Sequence, residues 1–237
     1  MKFKFILSVL LISLFFVNDI MADHRSYIWT YEYQTTDSGE AEIEQYTTFS
    51  TPEIDSFRTM GETELNFEIE VGMNKHFDFG IYQVFNQFAG KPLEYSGFKL
   101  RGRYRFFEKN EFFLDPLLYV EYIGNQTFSQ HEFEAKLILA KDIGKFNMSF
   151  NPYFELANEE NRWEFVPKYA IGFSYHPSEL FSAGFELKGD DHGNYIGPTI
   201  SHGNKDRWIA LGTLFNVGKV DEGSPSFLVR MIIGIGI

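Results

Sequence analysis

The chain has 237 residues, of which 44% are hydrophobic and 18% aromatic, and it carries a formal net charge of −12 at pH 7. An acidic chain has no general attraction to nucleic acid, so we expect no nucleic-acid partner. The sequence contains no cysteine, which excludes both a disulfide framework and a lipid-bearing cysteine.

The N-terminus has the pattern of a secretory signal peptide. Within Met1–Ala22, two lysines precede an apolar run, Phe5–Val17, and a small residue closes the segment. The run is too short for a comfortable membrane-spanning helix. We therefore predict export with cleavage after about Ala22, which leaves residues 23–237 as a single domain.

A strict alternation of apolar and polar residues marks the first long predicted strand. The apolar positions are Leu65, Phe67, Ile69 and Val71, and the polar ones are Glu64, Asn66, Glu68 and Glu70. A period of two residues is typical of a β-strand with one apolar and one charged face. A soluble barrel would turn the apolar face inward, whereas a membrane barrel would turn it outward to lipid.

The alternation recurs along the chain and predicts eleven strands from Glu64 to the C-terminus. Single-chain bacterial membrane barrels have an even number of strands, so one more must precede them. Glu40–Phe49 is the best candidate, which makes twelve. Residues 23–38 then lie outside the strand count, with Ser26–Tyr33 against the barrel or in its mouth, unless the count is wrong by two.

The predicted connections alternate between short turns and longer polar loops, and the predicted strands are long enough to cross a bilayer core at a tilt. This rhythm favours an all-β fold, an antiparallel up-and-down transmembrane β-barrel of about 12 strands with both termini on the periplasmic side. The expected location is the bacterial outer membrane. The alternative is a secreted, soluble β-sandwich or barrel.

On these strand and turn patterns the chain resembles a Gram-negative outer-membrane β-barrel. More narrowly, it resembles a group of outer-membrane transporters named after the meta pathway of phenol degradation. The resemblance is carried by Gly39–Phe49, Glu64–Tyr82, Phe98–Phe106 and Glu132–Asn151. It implies a barrel that moves small molecules and assigns no site. The implied partners are outer-membrane lipid, the barrel-assembly and periplasmic chaperone machinery, and a small-molecule solute.

One predicted strand carries four cations on its polar face, and four such charges require acidic groups opposite them. The candidate lumen-lining residues are Lys99, Arg101, Arg103, Arg105, Glu64, Glu68, Glu70, Asp115, Glu121, Glu132 and Glu134. One interpretation is a pore with a basic and an acidic wall. The other is a lumen that ion pairs close to solute. Because the predicted lumen has more acids than bases, an open pore is expected to prefer cations weakly.

The rival class is a barrel-embedded lipid hydrolase or acyltransferase. Ser129 and His131 share the parity of outward-facing Phe133, and a serine with a histidine base is the minimum for acyl transfer. No orienting acid is evident, so we predict no enzyme activity. The histidines have no metal-ligand spacing and no cofactor motif is present, so no metal and no cofactor are expected.

Overall fold

The computed structural model describes residues 25–159, 162–219, 221 and 223–237, so the predicted signal peptide lies outside the described residues. Strands make up most of this part of the chain. They are β1 (Ala41–Thr51), β2 (Glu62–Asn74), β3 (Phe77–Gln87), β4 (Glu94–Arg105), β5 (Asp115–Asn125), β6 (His131–Ile143), β7 (Phe146–Glu159), β8 (Arg162–Ser178), β9 (Phe181–Gly189), β10 (Asn194–Asn204), β11 (Arg207–Asn216) and β12 (Phe227–Gly236).

The strands form one closed antiparallel barrel in which each strand pairs with its neighbours in sequence. β1 pairs with both β2 and β12, and this last pairing closes the sheet. At the seam the Ala41 N–H donates to the Ile237 carbonyl at 3.2 Å, and the Ile237 N–H returns a bond of 2.8 Å. Closure leaves no unpaired sheet edge. The predicted twelve-stranded up-and-down barrel is confirmed.

The apolar face of each strand points outward. On β2, Phe67 and Ile69 are 47% and 55% exposed, whereas the intervening Glu68 and the following Glu70 are 0% and 2% exposed. A soluble barrel would reverse these faces, because exposing a continuous apolar surface to water is unfavourable. The arrangement is the one predicted for a barrel whose outer surface meets lipid.

The two ends of the barrel differ in their connections. At one end, here the turn end, strands are joined across residues 75–76, 106–114, 144–145, 179–180 and 205–206. At the other, the loop end, they are joined across residues 52–61, 88–93, 126–130, 160–161, 190–193 and 217–226. The connection 52–61 holds a 3-10 turn (Ile54–Ser56) and a short helix, α1 (Phe57–Met60). No helix in the described ranges is long and apolar enough to span a membrane.

The connection across residues 106–114 is longer than the other connections at the turn end, where the sequence pattern predicts short turns. Two local contacts hold it. The Asn110 N–H donates to the Asp115 carboxylate at 2.7 Å, with Asn110 in the left-handed region (φ 69°). The rings of Phe107 and Phe112 pack with their centroids 4.1 Å apart. Aromatic packing across a loop leaves no periodic pattern in the sequence. The alternation therefore does not indicate how long this connection is.

Residues 25–40, here the N-terminal segment, fold into the barrel from the turn end before β1 begins. Ser26–Tyr33 therefore lies inside the lumen. Ile28 packs against Leu214, Leu228 and Ile232 of the inner wall, and Tyr33 belongs to a second cluster with Leu117 and Ile138. The apolar core of the molecule thus sits between this segment and the inside of the barrel.

Candidate channel lumen

The four predicted cations Lys99, Arg101, Arg103 and Arg105 form a basic ladder on β4. The two in the middle are buried in ion pairs. Arg101 is 1% exposed, and its Nη1 lies 2.9 Å from Glu68 Oε1. Arg103 Nη2 lies 2.6 Å from Asp78 Oδ2. Both guanidinium groups also contact the Glu70 carboxylate between them. For these two arginines, the structure shows the ion-paired wall rather than a charged surface that faces solute.

A glycine makes the tightest of these contacts sterically possible. Gly80 on β3 lies between β2 and β4 in the register, opposite Glu70 and Arg101. A Cβ at this position would lie 2.5 Å from Glu68 Oε1 and 3.2 Å from Arg101 Nη2. The absence of a side chain leaves the space in which Glu68 meets Arg101.

The ends of the ladder behave differently from its middle. Lys99 Nζ lies 3.5 Å from Glu121 Oε1 and 6.0 Å from the Tyr82 ring centroid, at the edge of the interior cavities. Arg105 reaches the turn end, where it donates to the Lys75 carbonyl. The four predicted cations therefore form one strand face without acting as one site.

The remaining predicted acids are distributed around the interior. Glu64 Oε1 lies 3.8 Å from Arg230, Asp115 Oδ2 lies 3.7 Å from Lys141, and Glu134 Oε1 lies 2.9 Å from Lys136. Glu132 lines a cavity at the loop end. Asp78 was not among the chosen candidates, although its register opposite Arg103 makes it a direct partner. An exact cross-strand register would have revealed it.

A single carboxylate holds the inner part of the N-terminal segment. Glu186 on β9 accepts the backbone N–H groups of Ile28 at 2.9 Å, Trp29 at 2.9 Å and Thr30 at 2.7 Å. Three donors on one buried carboxylate satisfy backbone groups that have no strand partner. Strand parity alone places Glu186 on the inner face, but its partners could not be predicted, because they are main-chain atoms of a segment without a periodic pattern.

Asn151 on β7 fixes the next residue of the segment. Its Oδ1 accepts the Tyr31 N–H at 2.6 Å, and its Nδ2 donates to the Tyr31 carbonyl at 3.0 Å. An amide can bond both backbone groups of one residue, as a neighbouring strand would. Glu186 and Asn151 together replace the ladder that the segment lacks.

Two inward-facing glycines make room for side chains of the segment. A Cβ on Gly172 would lie 2.6 Å from the Tyr27 ring, and a Cβ on Gly212 would lie 2.7 Å from Ile28 Cγ1. Both distances are too short for any real side chain. The barrel wall is thus shaped to the segment.

Several interior cavities lie along the lumen. One of about 550 Å³ opens at the turn end and is lined by Glu32, Asp142 and His176. Two, of about 400 and 280 Å³, open at the loop end. A central cavity of about 130 Å³ lies between the segment and the strands, and is lined by Trp29, Tyr31 and Lys188 among others. The N-terminal segment therefore narrows a lumen that is roomy at both ends.

Ser129 and His131 do not meet. Ser129 Oγ lies 2.9 Å from Thr127 Oγ1 in the loop, while His131 Nδ1 lies 2.7 Å from the Tyr122 hydroxyl. The structure does bring Ser26 Oγ to 3.2 Å from His176 Nε2, a pair that the sequence did not suggest. Ser26 is fully buried, so a substrate could not reach its hydroxyl in this arrangement. Among the described residues, no group of three or more potential ligands could hold a metal ion.

A solvent-exposed ion pair joins two connections at the loop end. His192 Nδ1, in the β9–β10 connection, lies 2.8 Å from Asp221 Oδ2 in the β11–β12 connection. The hydrogen bond to Asp221 raises the pKa of His192, and the charge of nearby Asp190 raises it further. The link is therefore strongest when the imidazole is protonated.

Known structures share this architecture. The COG4313 outer membrane channel from Pseudomonas putida F1 matches 89% of this chain and 100% of its own, with a TM-score of 0.63 at 8% sequence identity. The NanC porin matches 82% of this chain and 97% of its own, with a TM-score of 0.52 at 7% identity. LpxR from Salmonella typhimurium is a weaker match, with a TM-score of 0.47 at 9% identity over 83% of this chain and 99% of its own.

No protein-family model and no curated protein matches the sequence. At such low identities the structural matches show a shared fold alone, the fold of an outer-membrane barrel. The narrower resemblance to the phenol-degradation transporters stays a prediction.

Proposed function

We propose that this protein is an outer-membrane channel for small solutes whose passage is narrowed by its own N-terminal segment. The observation that carries the proposal is the position of the cavities. Polar cavities of about 550 Å³ at the turn end and 400 Å³ at the loop end lie on either side of Ile28–Tyr31. A purely structural barrel has no need of vestibules at both ends.

The outward apolar face supports residence in the bacterial outer membrane, because aromatic and aliphatic side chains cover the outer surface at mid-strand while acids face the lumen. Two structural matches with TM-scores above 0.5 are a channel and a porin by name. We propose outer-membrane lipid as the surrounding partner and the barrel-assembly and chaperone machinery as the route of insertion. Export by the predicted signal peptide is part of the same proposal.

In this channel the two buried β4 arginines stabilise the barrel wall, and other residues line the path of the solute. Arg101 and Arg103 are held by three carboxylates and are out of reach of solute. Trp29 and Tyr31 lie against the strands around the central cavity of about 130 Å³, which is smaller than the cavities of about 550 and 400 Å³ on either side. Of the ladder, Lys99 alone lines that cavity within the described residues.

Single-channel recording in planar bilayers tests the proposal. The wild-type barrel is expected to conduct weakly. Glu186→Gln removes the charge that holds three backbone N–H groups, so the segment should loosen and the mean conductance should rise at least twofold. Glu164→Gln, an exposed acid near the loop end of β8, is the matched control and should conduct like wild type. If neither the wild type nor Glu186→Gln conducts, the barrel is a closed scaffold and the proposal is wrong.

We also propose that the protein is not an enzyme, since Ser129 and His131 have separate partners and Ser26 is buried. Purified protein incubated with phospholipid or lipopolysaccharide should release no fatty acid. If fatty acid is released and Ser129→Ala, His131→Ala or Ser26→Ala abolishes the release, the lipid-hydrolase alternative replaces the channel.

A further inference from the structure

The central cavity has an unusual lining for an acidic protein. Six aromatic rings surround it, and its charged residues are four cations and two carboxylates. Both carboxylates are already paired, Glu121 with Lys99 at 3.5 Å and Glu134 with Lys136 at 2.9 Å. The other two cations, Lys188 and Arg230, give the cavity a local positive excess.

Lys188 and Arg230 both lie close to one aromatic ring. Lys188 Nζ lies 5.6 Å from the ring centroid of Trp29, and Arg230 Cζ lies 5.3 Å from the same centroid. Two like charges on one ring repel each other, and cation–π attraction offsets this only in part. An anion placed between them would relieve the repulsion.

Few groups lie close enough to Lys188 and Arg230 to neutralise their charges. The described residues place no carboxylate in an ion pair with Lys188, whose second neighbour is the Tyr195 ring at 5.7 Å. Arg230 donates to Thr48 Oγ1 at 2.7 Å, and its nearest carboxylate oxygen, on Glu64, is 3.8 Å away. The charges of the strands therefore leave this point of the lumen positive.

The Trp29 ring close to these two cations also carries a hydrogen-bond donor that has no acceptor among the described residues. Trp29 is more than nine-tenths buried, and its Nε1–H has no acceptor in the protein. Buried polar groups are normally hydrogen-bonded, so an orphan donor beside two cations points to an anionic acceptor.

We propose that Lys188, Arg230 and Trp29 form a binding site for the carboxylate of a small organic anion. The site deepens the proposed channel function and rests on it, because it assigns the class of solute. The same three residues line both the central cavity of about 130 Å³ and the loop-end cavity of about 280 Å³. The carboxylate sits at this junction, and the apolar body lies among the aromatic rings of the central cavity.

The size of the central cavity limits the anion. A volume of 130 Å³ corresponds to about four waters at roughly 30 Å³ each, which suits a short-chain monocarboxylate. Nearby rings and aliphatic side chains favour an apolar body over a second charge. Butyrate is therefore a suitable probe, and butylamine, of similar length and opposite charge, is its matched control ligand.

Calorimetric titration of the full barrel in detergent tests the site. Wild type should bind butyrate saturably and should not bind butylamine. Lys188→Met removes the charge at similar length and should weaken butyrate binding about tenfold or more, since hydrogen bonds to charged groups are strong. Lys188→Arg should restore the binding. Lys141→Met, in the turn-end cavity, should leave it unchanged.

Heat-modifiable gel mobility shows that each variant is folded, and the two ligands compared on wild type need no variant at all. Equal binding of butyrate and butylamine, or a Lys188→Met barrel that binds like wild type, overturns the site. Conductance separates the two proposals. A conducting barrel without butyrate binding loses only the site, whereas a barrel that binds butyrate and never conducts loses the channel function and keeps the site.

Discussion

Two charged regions of the same lumen differ in how fully their charges are paired. Near the turn end, Arg101 and Arg103 are buried against three carboxylates. Near the loop end, Lys188 and Arg230 share the ring of Trp29, and no carboxylate of the described residues forms an ion pair with Lys188. The first region satisfies its charges within the barrel wall, and the second leaves positive charge beside open cavities.

The difference shows that a count of lumen charges does not describe what a solute meets. The acid excess of the whole lumen includes Glu68, Glu70 and Asp78, which are buried in ion pairs with Arg101 and Arg103. The ion pairs that stabilise the wall and the cations that face a solute thus lie at different positions along the barrel axis. Charges that hold the wall are buried, and charges that face the cavities are left with partial partners.

The largest expected effect comes from breaking the buried region. Arg101→Ala leaves Glu68 buried without its cation and Glu70 with Arg103 alone, so the free energy of unfolding should fall by about 3–5 kcal/mol. Lys75→Ala breaks the exposed Lys75–Glu108 pair and should lower the free energy of unfolding far less, because water screens an exposed ion pair. Urea unfolding of the refolded barrels measures both. Equal losses in the two variants would show that the buried pairs contribute no more than surface pairs.

The sequence predicted the barrel well because alternation, strand length and strand parity are local properties. It placed Glu68, Glu70 and Arg101 on the inner face correctly, since parity alone decides this. It could not separate Arg101 from Lys99, because which cation is buried depends on the space beside Gly80.

The N-terminal segment was harder to predict than the strands. Its hydrogen bonds run to Glu186 and Asn151, which lie more than a hundred residues away in the chain. The segment has no period, so only the residues left over from the strand count indicated where it lies. A long-range contact of this kind leaves no mark in a local pattern.

The next largest effect is expected from a substitution that displaces the N-terminal segment without changing any charge. Gly172→Ala puts a Cβ within 2.6 Å of the Tyr27 ring and should displace the segment, at a cost of about 1–3 kcal/mol. Gly102→Ala is the control, because its nearest neighbour is the outer Phe77 ring at 3.2 Å, which can move aside. The chain lacks cysteine, so a Thr35→Cys probe in each background reports access. A water-soluble maleimide should label it severalfold faster with Gly172→Ala, and equal rates would mean that the segment stays in place.

A smaller effect is expected on ion selectivity. Reversal potentials under a salt gradient compare Lys188→Met with Lys141→Met, each of which removes one lumen cation. If the junction governs permeation, Lys188→Met should shift selectivity toward cations more than Lys141→Met does. The shift should shrink at 1 M salt, where the screening length is about 3 Å. Equal shifts would mean that the whole lumen sets selectivity, as the sequence-based charge count assumes.

The smallest effect concerns the exposed pair at the loop end. The pKa of His192 is raised in the folded barrel by its bond to Asp221, so this pair stabilises the two connections at low pH and loses its effect as the pH rises through that raised pKa. NMR titration of the His192 imidazole should show the pKa falling toward its ordinary range in Asp221→Asn. Glu164→Gln, a more distant carboxylate that also raises this pKa, should lower it less. Since Asp190 acts on the same ring from its own connection, an unchanged pKa in Asp221→Asn would assign the shift to Asp190 and leave the two connections unlinked.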